Sequence, residues 1–436
     1  MRIAHLVPGT CGVFYCENCL RDTDLAEAWR AAGHEPDLVP LYLPIRADGR
    51  AGETEGPIFL GGVNVHLQQK FALFRRTPRW LDRLLDSRRL LRWAAHRSAM
   101  TSAADLGGTL LAMLRGEAGR QAKEVRRLVA HLAERRPEVV LLSDALLAGL
   151  ARPIRERAGA PVVCLLQDED AFVDALPPPQ RREAWALLRA CAAEVAAFVA
   201  PSAYYRGLMA ERLAVAPDRV AVVRYGIRPE GYGPAATPPD PPVLGFLGAV
   251  EPGKDLAALL EAFALLRRRP GLERLRLRAA GGAAPGGARV MEEVRRRVAS
   301  GGFADAVEFL PNLPRGERQA FLRTLSVLAV PTNHPAAYGA YILEALASGV
   351  PVVVSRHGGA VELIEATGGG VLVEPGDPGA PGLADAVGAL LADPDRARAL
   401  GAAGRAAVLE RFDVRRSAEE LADVCRRAAE RRIIYS

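Results

Sequence analysis

The segment 331–377 concentrates the groups of this chain best suited to chemistry; it reads PTNHPAAYGAYILEALASGVPVVVSRHGGAVELIEATGGGVLVEPGD. Gly339 turns the chain into a helix that opens at Ala340 and Tyr341, and Gly358–Gly359 open a second one. The first turn of a helix leaves backbone N–H groups without partners and carries partial positive charge, so it suits a phosphate. Glu344 stands about one turn inside the first helix, where a carboxylate accepts two hydrogen bonds from a neighbouring diol such as a ribose. Helix starts for a diphosphate and an acid for a sugar point to a nucleotide-sugar site.

Such groups need strands whose carboxyl ends converge on one crevice. The segment alternates strand, Gly turn, helix, buried strand, Gly-Gly turn, helix and strand, a parallel α/β unit. Apolar runs of strand length recur at Arg2–Val7, Leu38–Leu43, Val139–Leu142, Ala160–Leu166, Val195–Pro201, Arg219–Tyr225, Val243–Leu247, Leu275–Ala279 and Val307–Leu310. After the first, a turn at Pro8, Gly9, Thr10 and Gly12 leads into a helix through Leu20, Leu25, Ala26 and Trp29 that ends near Gly33. Further helices are expected at Glu124–Arg135, Leu383–Val408 and Val414–Glu430, the second of them surface-like. Ile58–Lys70 reads as a strand with Asn64 and His66 on one face, candidates for acceptor contact. The run GIRPEGYGPAATPPDPP after Tyr225 is the clearest linker, and the domain boundary is placed there.

The 331–377 segment resembles the donor-binding core of glycosyltransferase family 4, whose pattern runs E-x-F-G-x-x-x-x-E-A-x-A-x-G-x-P-V-V and then G-G-x-x-E. Gly339, Glu344, Ala345, Ala347, Gly349, Pro351, Val352, Val353, Gly358, Gly359 and Glu362 fall in register. Tyr338 stands where Phe is usual, and Ala336 where the first Glu is usual. The resemblance covers nearly the whole chain, weakest across Ala47–Arg135. It implies an α/β protein of GT-B fold, two doubly wound Rossmann-like domains facing a cleft. The expected division is an acceptor-binding domain at 1–228 with a helical insert at about 71–116, a nucleotide-sugar-binding domain at 241–412, and a helix at 413–436 returning to the first domain.

The resemblance also implies roles. Gly248 and Lys254 match the family's G-R-x-x-x-x-K-G, which puts Lys254 on the donor phosphates; Ala249 replaces the usual Arg and Asp255 the usual Gly. Gly12 matches the glycine of the loop between acceptor and donor, and Asn312 and Leu313 fall on the loop that holds the base. Tyr338, Gly339, Ala340, Tyr341 and Glu344 complete the donor set. Gln167 stands where a His usually touches the donor sugar, and its amide can bond hydroxyls without titrating. Asp168, Glu169 and Asp170 behind it either bind acceptor hydroxyls or cap the following helix. The implied reaction is metal-independent, retaining transfer of a hexosyl group from a nucleotide-diphosphate sugar, as co-substrate rather than cofactor, to a saccharide, lipid-linked or small-molecule acceptor. Ala249 and Ala336 each delete a charged group, which motivates one alternative, a catalytically impaired relative that binds a nucleotide sugar or a partner enzyme; the other alternative is a nucleotide-sugar epimerase on the same architecture. Arg356 or His357 is the expected substitute for the missing cation.

Composition agrees with a globular chain: 436 residues suffice for two or three domains, half of them hydrophobic and a quarter charged. The net charge of +6 is too small and too dispersed for nucleic acid. No signal-peptide pattern or uninterrupted apolar span stands out, so a cytoplasmic protein is expected. Between Phe71 and Gly116, arginines interleave with Leu and Trp; this is either a solvated helix face over a core or a peripheral contact with an anionic membrane. Cys11, Cys16 and Cys19 form C-x4-C-x2-C. They are read as reduced thiols, with metal binding alongside His5 or His34, or a redox role, as the alternatives.

Overall fold

The computed structural model describes residues 1–9, 14–43, 58–60, 103–251, 253–284, 287–376 and 380–435. The first sheet contains β1 (Arg2–Val7), β2 (Glu35–Pro40), β3 (Val139–Leu142), β4 (Val162–Leu165), β5 (Ala197–Ala200) and β6 (Val220–Val222). In the second are β7 (Val243–Leu247), β8 (Arg276–Ala280), β9 (Val307–Leu310), β10 (Val327–Val330), β11 (Val352–Ser355) and β12 (Gly370–Val373). Their orders are β2-β1-β3-β4-β5-β6 and β12-β11-β10-β7-β8-β9. Every pairing is parallel. This is the expected α/β architecture of two doubly wound sheets.

Sequence chemistry explains the central strands. The runs VVLL, VVCL, VLAV and VVVS are buried along their whole length, as parallel strands covered by helices on both faces must be. In each sheet the order reverses once, between β1 and β3 and between β7 and β10. At such a reversal the connecting loops diverge and leave a crevice beyond the carboxyl ends of the strands.

Two expectations shift. β2 begins at Glu35, not Leu38, because its register against β1 runs from Arg2↔Glu35 to Val7↔Pro40; Tyr42 and Leu43 instead donate to the Pro8 carbonyl in the bend that follows. The run Leu383–Val408 is two helices, Ala380–Ala392 and Pro394–Arg411. Proline at 394 lacks an N–H and suits a helix start, and the Asp393 side chain accepts from Arg396 N at 3.0 Å. Gly12, Asn64, His66 and Cys11 lie outside the described residues, as does residues 71–102 of the basic insert; its later part holds the helix Ala103–Leu114.

The last helix, Val414–Tyr435, crosses back onto β3, β4 and β5 and onto the helix Glu17–Ala31. Trp29 anchors it: the fully buried indole donates from Nε1 to the Ala418 carbonyl at 2.8 Å. Trp29→Ala should therefore lower stability by about 3–5 kcal/mol, read as a reduced denaturant midpoint.

Candidate functional site

The reversal between β7 and β10 brings two loops together, and Lys254 on the first forms an antiparallel bridge with Thr332 on the second. The second loop ends at Gly339, with φ 144°, and the helix Ala340–Ala347 starts there without a side-chain cap. These loops form one wall of a cleft of about 860 Å³, and the other wall comes from the first sheet. Gln167, Asp168, Lys254, Tyr338, Gly339, Ala340, Tyr341 and Glu344, all expected in the site, line it together. Ala249 and Ala336 line it too. Asn312 and Leu313 do not: Leu313 is buried and its carbonyl accepts from Arg318 Nη1 at 2.9 Å.

An anion already sits at the helix start. Glu17 Oε2 accepts from Ala340 N at 2.6 Å, and Oε1 lies 3.3 Å from Lys254 Nζ. The ammonium also faces Glu251 at 3.9 Å and lies 5.3 Å from the centre of the Tyr341 ring. Burial alone would pull its pKa down; Glu17 and Glu251 more than reverse this and hold it raised. Gly248 leaves room for this side chain, since a Cβ there would stand 3.1 Å from Lys254 Cδ and Nζ.

Glu344 is fully engaged. Its oxygens accept from Tyr15 Oη at 2.8 Å, from Tyr232 Oη, and from Arg318 Nε at 2.9 and 3.1 Å. Both phenols are held protonated, first by burial and then by the carboxylate beside them. A ribose diol reaching Glu344 must exchange with these hydroxyls. Tyr338 is buried and donates to the Tyr225 carbonyl at 2.5 Å.

On the opposite wall, the Gln167 side-chain oxygen accepts from Arg21 Nη1. Arg21 is itself held by Asp22 and by the Ser143 hydroxyl at 3.0 Å. Asp168 does not cap the helix Glu169–Asp174, although it occupies the capping position. Instead its Oδ1 reaches across the cleft to Ala337 N at 2.6 Å. Glu169 is structural as well, accepting from Ala145 N at 2.8 Å and Gln167 N at 2.7 Å. The loop 335–338 meets the first lobe again where Ser202 Oγ donates to the Ala337 carbonyl at 2.8 Å. Gly358, with φ 64°, packs under this loop so closely that a Cβ would fall 2.4 Å from the Ala336 oxygen. Glu362 then accepts from the Tyr204 and Ala203 amides at 2.7 and 3.1 Å, at the start of the helix Ala203–Leu213.

Arg356 and His357 do not replace the absent cation. Arg356 pairs with Glu374 at 2.8 Å, His357 bonds Thr332 Oγ1 at 2.7 Å, and neither lines the cleft. Cys16 caps the helix Glu17–Ala31, its Sγ accepting from Cys19 N at 3.4 Å. Tyr15, Glu17, Arg21, Tyr232 and Arg318 escaped the sequence reading. Arg318 carried a usable signal: Phe321 and Leu322 follow three and four residues on, which puts the arginine on the buried side of its helix. The others show no periodicity that marks them.

Two family models match the chain, "Glycosyl transferases group 1" over residues 233–407 and "Glycosyltransferase Family 4" over residues 96–230. A GDP-mannose-dependent alpha-(1-6)-phosphatidylinositol monomannoside mannosyltransferase of Mycolicibacterium smegmatis is 34% identical over 224 residues, 50% of this chain and 54% of that protein. A D-inositol 3-phosphate glycosyltransferase of Saccharomonospora viridis is 34% identical over 226 residues, 49% and 51% of the two chains. The chain thus spans about half the length of the curated relatives it matches. In fold it is similar to the sucrose-phosphate synthase of Thermosynechococcus elongatus, with TM-score 0.72, 20% identity and 98% of each chain covered. Anabaena HepE, solved with UDP and glucose, gives TM-score 0.67 at 17% identity over 97% of this chain and 99% of that one.

Burial pushes the Asp168 carboxyl up to about 7; the Ala337 N–H opposes this and the nearby Glu17, Asp170 and Glu169 reinforce it. A folded pKa above the ordinary 3.8 means that the folded state holds the proton more tightly. That contribution is complete below the unfolded value and is lost as pH rises through about 7. Relative to wild type, Asp168→Asn should therefore gain roughly 1–3 kcal/mol in stability as pH rises from about 5 to about 8, read from denaturant titrations.

Proposed function

The chain belongs to glycosyltransferase family 4, and on that premise we propose that it transfers a hexosyl group from a nucleoside-diphosphate sugar to a saccharide, lipid-linked or small-molecule acceptor, with retention at the sugar. The lobe 241–412 takes the donor and the lobe 1–228 the acceptor. One observation carries the reading: the helix-start N–H of Ala340 and the Lys254 ammonium converge at the sheet's reversal point on a single carboxylate. Two donors of positive potential aimed at one spot select an anion there.

As the sugar leaves, charge develops on the departing diphosphate. The amides at Ala340 and Tyr341 and the Lys254 ammonium are preformed to meet it, in a cleft where burial strengthens each interaction. Protein groups supply this countercharge, so the reading invokes no metal. Gln167, held by Arg21, offers its amide to the donor sugar. A phosphate oxygen of the donor takes the acceptor proton, so no protein base is required.

Ala249 and Ala336 favour a second reading, binding without transfer. Both line the cleft where family members carry charge, and a charge-assisted hydrogen bond is worth roughly 1.5–3 kcal/mol. A thermal-shift panel of UDP, GDP, ADP and TDP sugars should show one nucleotide class raising the melting temperature; GDP-mannose comes first because a relative's name carries it. Lys254→Ala should weaken that binding by about tenfold to a hundredfold. No stabilisation by any nucleotide would sink the proposal, and stabilisation without turnover on any acceptor would select the second reading.

No helix among the described residues is long and apolar enough to cross a membrane. We place the enzyme in the cytoplasm, meeting an anionic membrane through arginines of the 71–102 stretch. Co-sedimentation should then rise with the phosphatidylserine content of vesicles; binding indifferent to anionic lipid removes that part.

A further inference from the structure

We propose that the segment Tyr15–Glu17 is an internal occupant of the donor pocket, and that a nucleoside diphosphate binds by displacing it. The inference rests on the donor-site reading above and adds to it what holds the pocket when no donor is present.

Tyr15 and Glu17 follow the first strand of the first lobe, yet their contacts are to the second. Tyr15 is 3% exposed and packs in the core of the second sheet. Its amide donates to the Gly281 carbonyl at 2.7 Å, the Arg318 guanidinium lies 5.5 Å from its ring centre, and its hydroxyl donates to Glu344. Two residues on, Glu17 bridges Ala340 N and Lys254 Nζ. The segment therefore presents a hydroxyl to the carboxylate expected to take a ribose, and a carboxylate to the helix start expected to take a phosphate.

Mutual exclusion follows from charge and space. A phosphate and the Glu17 carboxylate cannot share one N–H and one ammonium, because like charges in a buried site repel strongly. With Ala249 where a second cation is usual, Lys254 is the cation that the described residues place against that carboxylate. The apparent donor affinity is then the intrinsic affinity reduced by the fraction of molecules whose segment has left the pocket. Glu17 is accordingly a competitor rather than a catalytic group: its carboxylate takes the N–H and the ammonium that a donor phosphate would need.

The test is calorimetric titration of the full chain with UDP, GDP, ADP and TDP, for wild type, Glu17→Gln, Tyr15→Phe and Lys254→Ala. Glu17→Gln should bind its nucleotide at least about tenfold tighter than wild type, and Tyr15→Phe severalfold tighter, while both unliganded variants melt at a lower temperature. A merely structural role would lower the melting temperature without tightening binding. Should Glu17→Gln not fold, the Tyr15→Phe result decides alone. Affinity unchanged or weakened in both variants, with binding still lost in Lys254→Ala, overturns the displacement proposal and leaves the donor site standing. Absence of binding by all four proteins to every nucleotide overturns the donor-site reading, and this inference with it.

Discussion

The open end of the helix Ala340–Ala347 needs an anion, and the rest of the cleft is arranged around that need. Its first turn has no side-chain cap of its own. An N–H buried without a partner costs about 1–3 kcal/mol, so the structure must supply one. Glu17 does so from the other lobe, and Lys254 holds the carboxylate's second oxygen. Glu344, one turn further, faces the same problem in reverse: a buried negative charge satisfied by Arg318 and two tyrosine hydroxyls. These two centres, opposite in sign and adjacent on one helix, give the cleft its polarity.

The loop before that helix also joins the lobes. Ala337 receives Asp168 on its amide and Ser202 on its carbonyl, while Gly358 backs the same loop without a side chain. Glu362 extends the seam by capping a first-lobe helix, and both oxygens of Asp24 accept from Arg315 Nη2, at 2.6 and 2.7 Å. The residues that would contact a donor and those that fix the lobes against each other are therefore neighbours in one short stretch of chain. Any ligand that moves Glu17 acts directly on this seam, which gives donor binding a physical route to the relative position of the lobes.

Much of this was legible beforehand, for identifiable reasons. Val139–Leu142 and Val243–Leu247 have the bounds that their apolar runs suggest, because a strand covered on both faces has little choice; the half-buried edge strand Val307–Leu310 matches its run as well. Gly339 and Glu344 were visible because turn chemistry and spacing around a helix start are local, and Lys254 because the chain resembles the family's G-R-x-x-x-x-K-G. Partners set by tertiary contact were not. Nothing near Glu344 in the chain announces Tyr15 or Tyr232, which are 329 and 112 residues away. Asp168 reads equally well as a helix cap or as an acceptor ligand, and only the approach of Ala337 from the other lobe decides what it bonds. Glu17 reads as an ordinary acid in a first helical turn, a position that Asp and Glu favour without any function.

A crystal structure of the chain with its bound nucleoside diphosphate bears most directly on the electrostatic account. The β-phosphate should lie within hydrogen-bond distance of Ala340 N and Lys254 Nζ, with the Glu17 carboxylate gone from both. A diphosphate bound elsewhere, with Glu17 still bridging the helix start and the lysine, would contradict it.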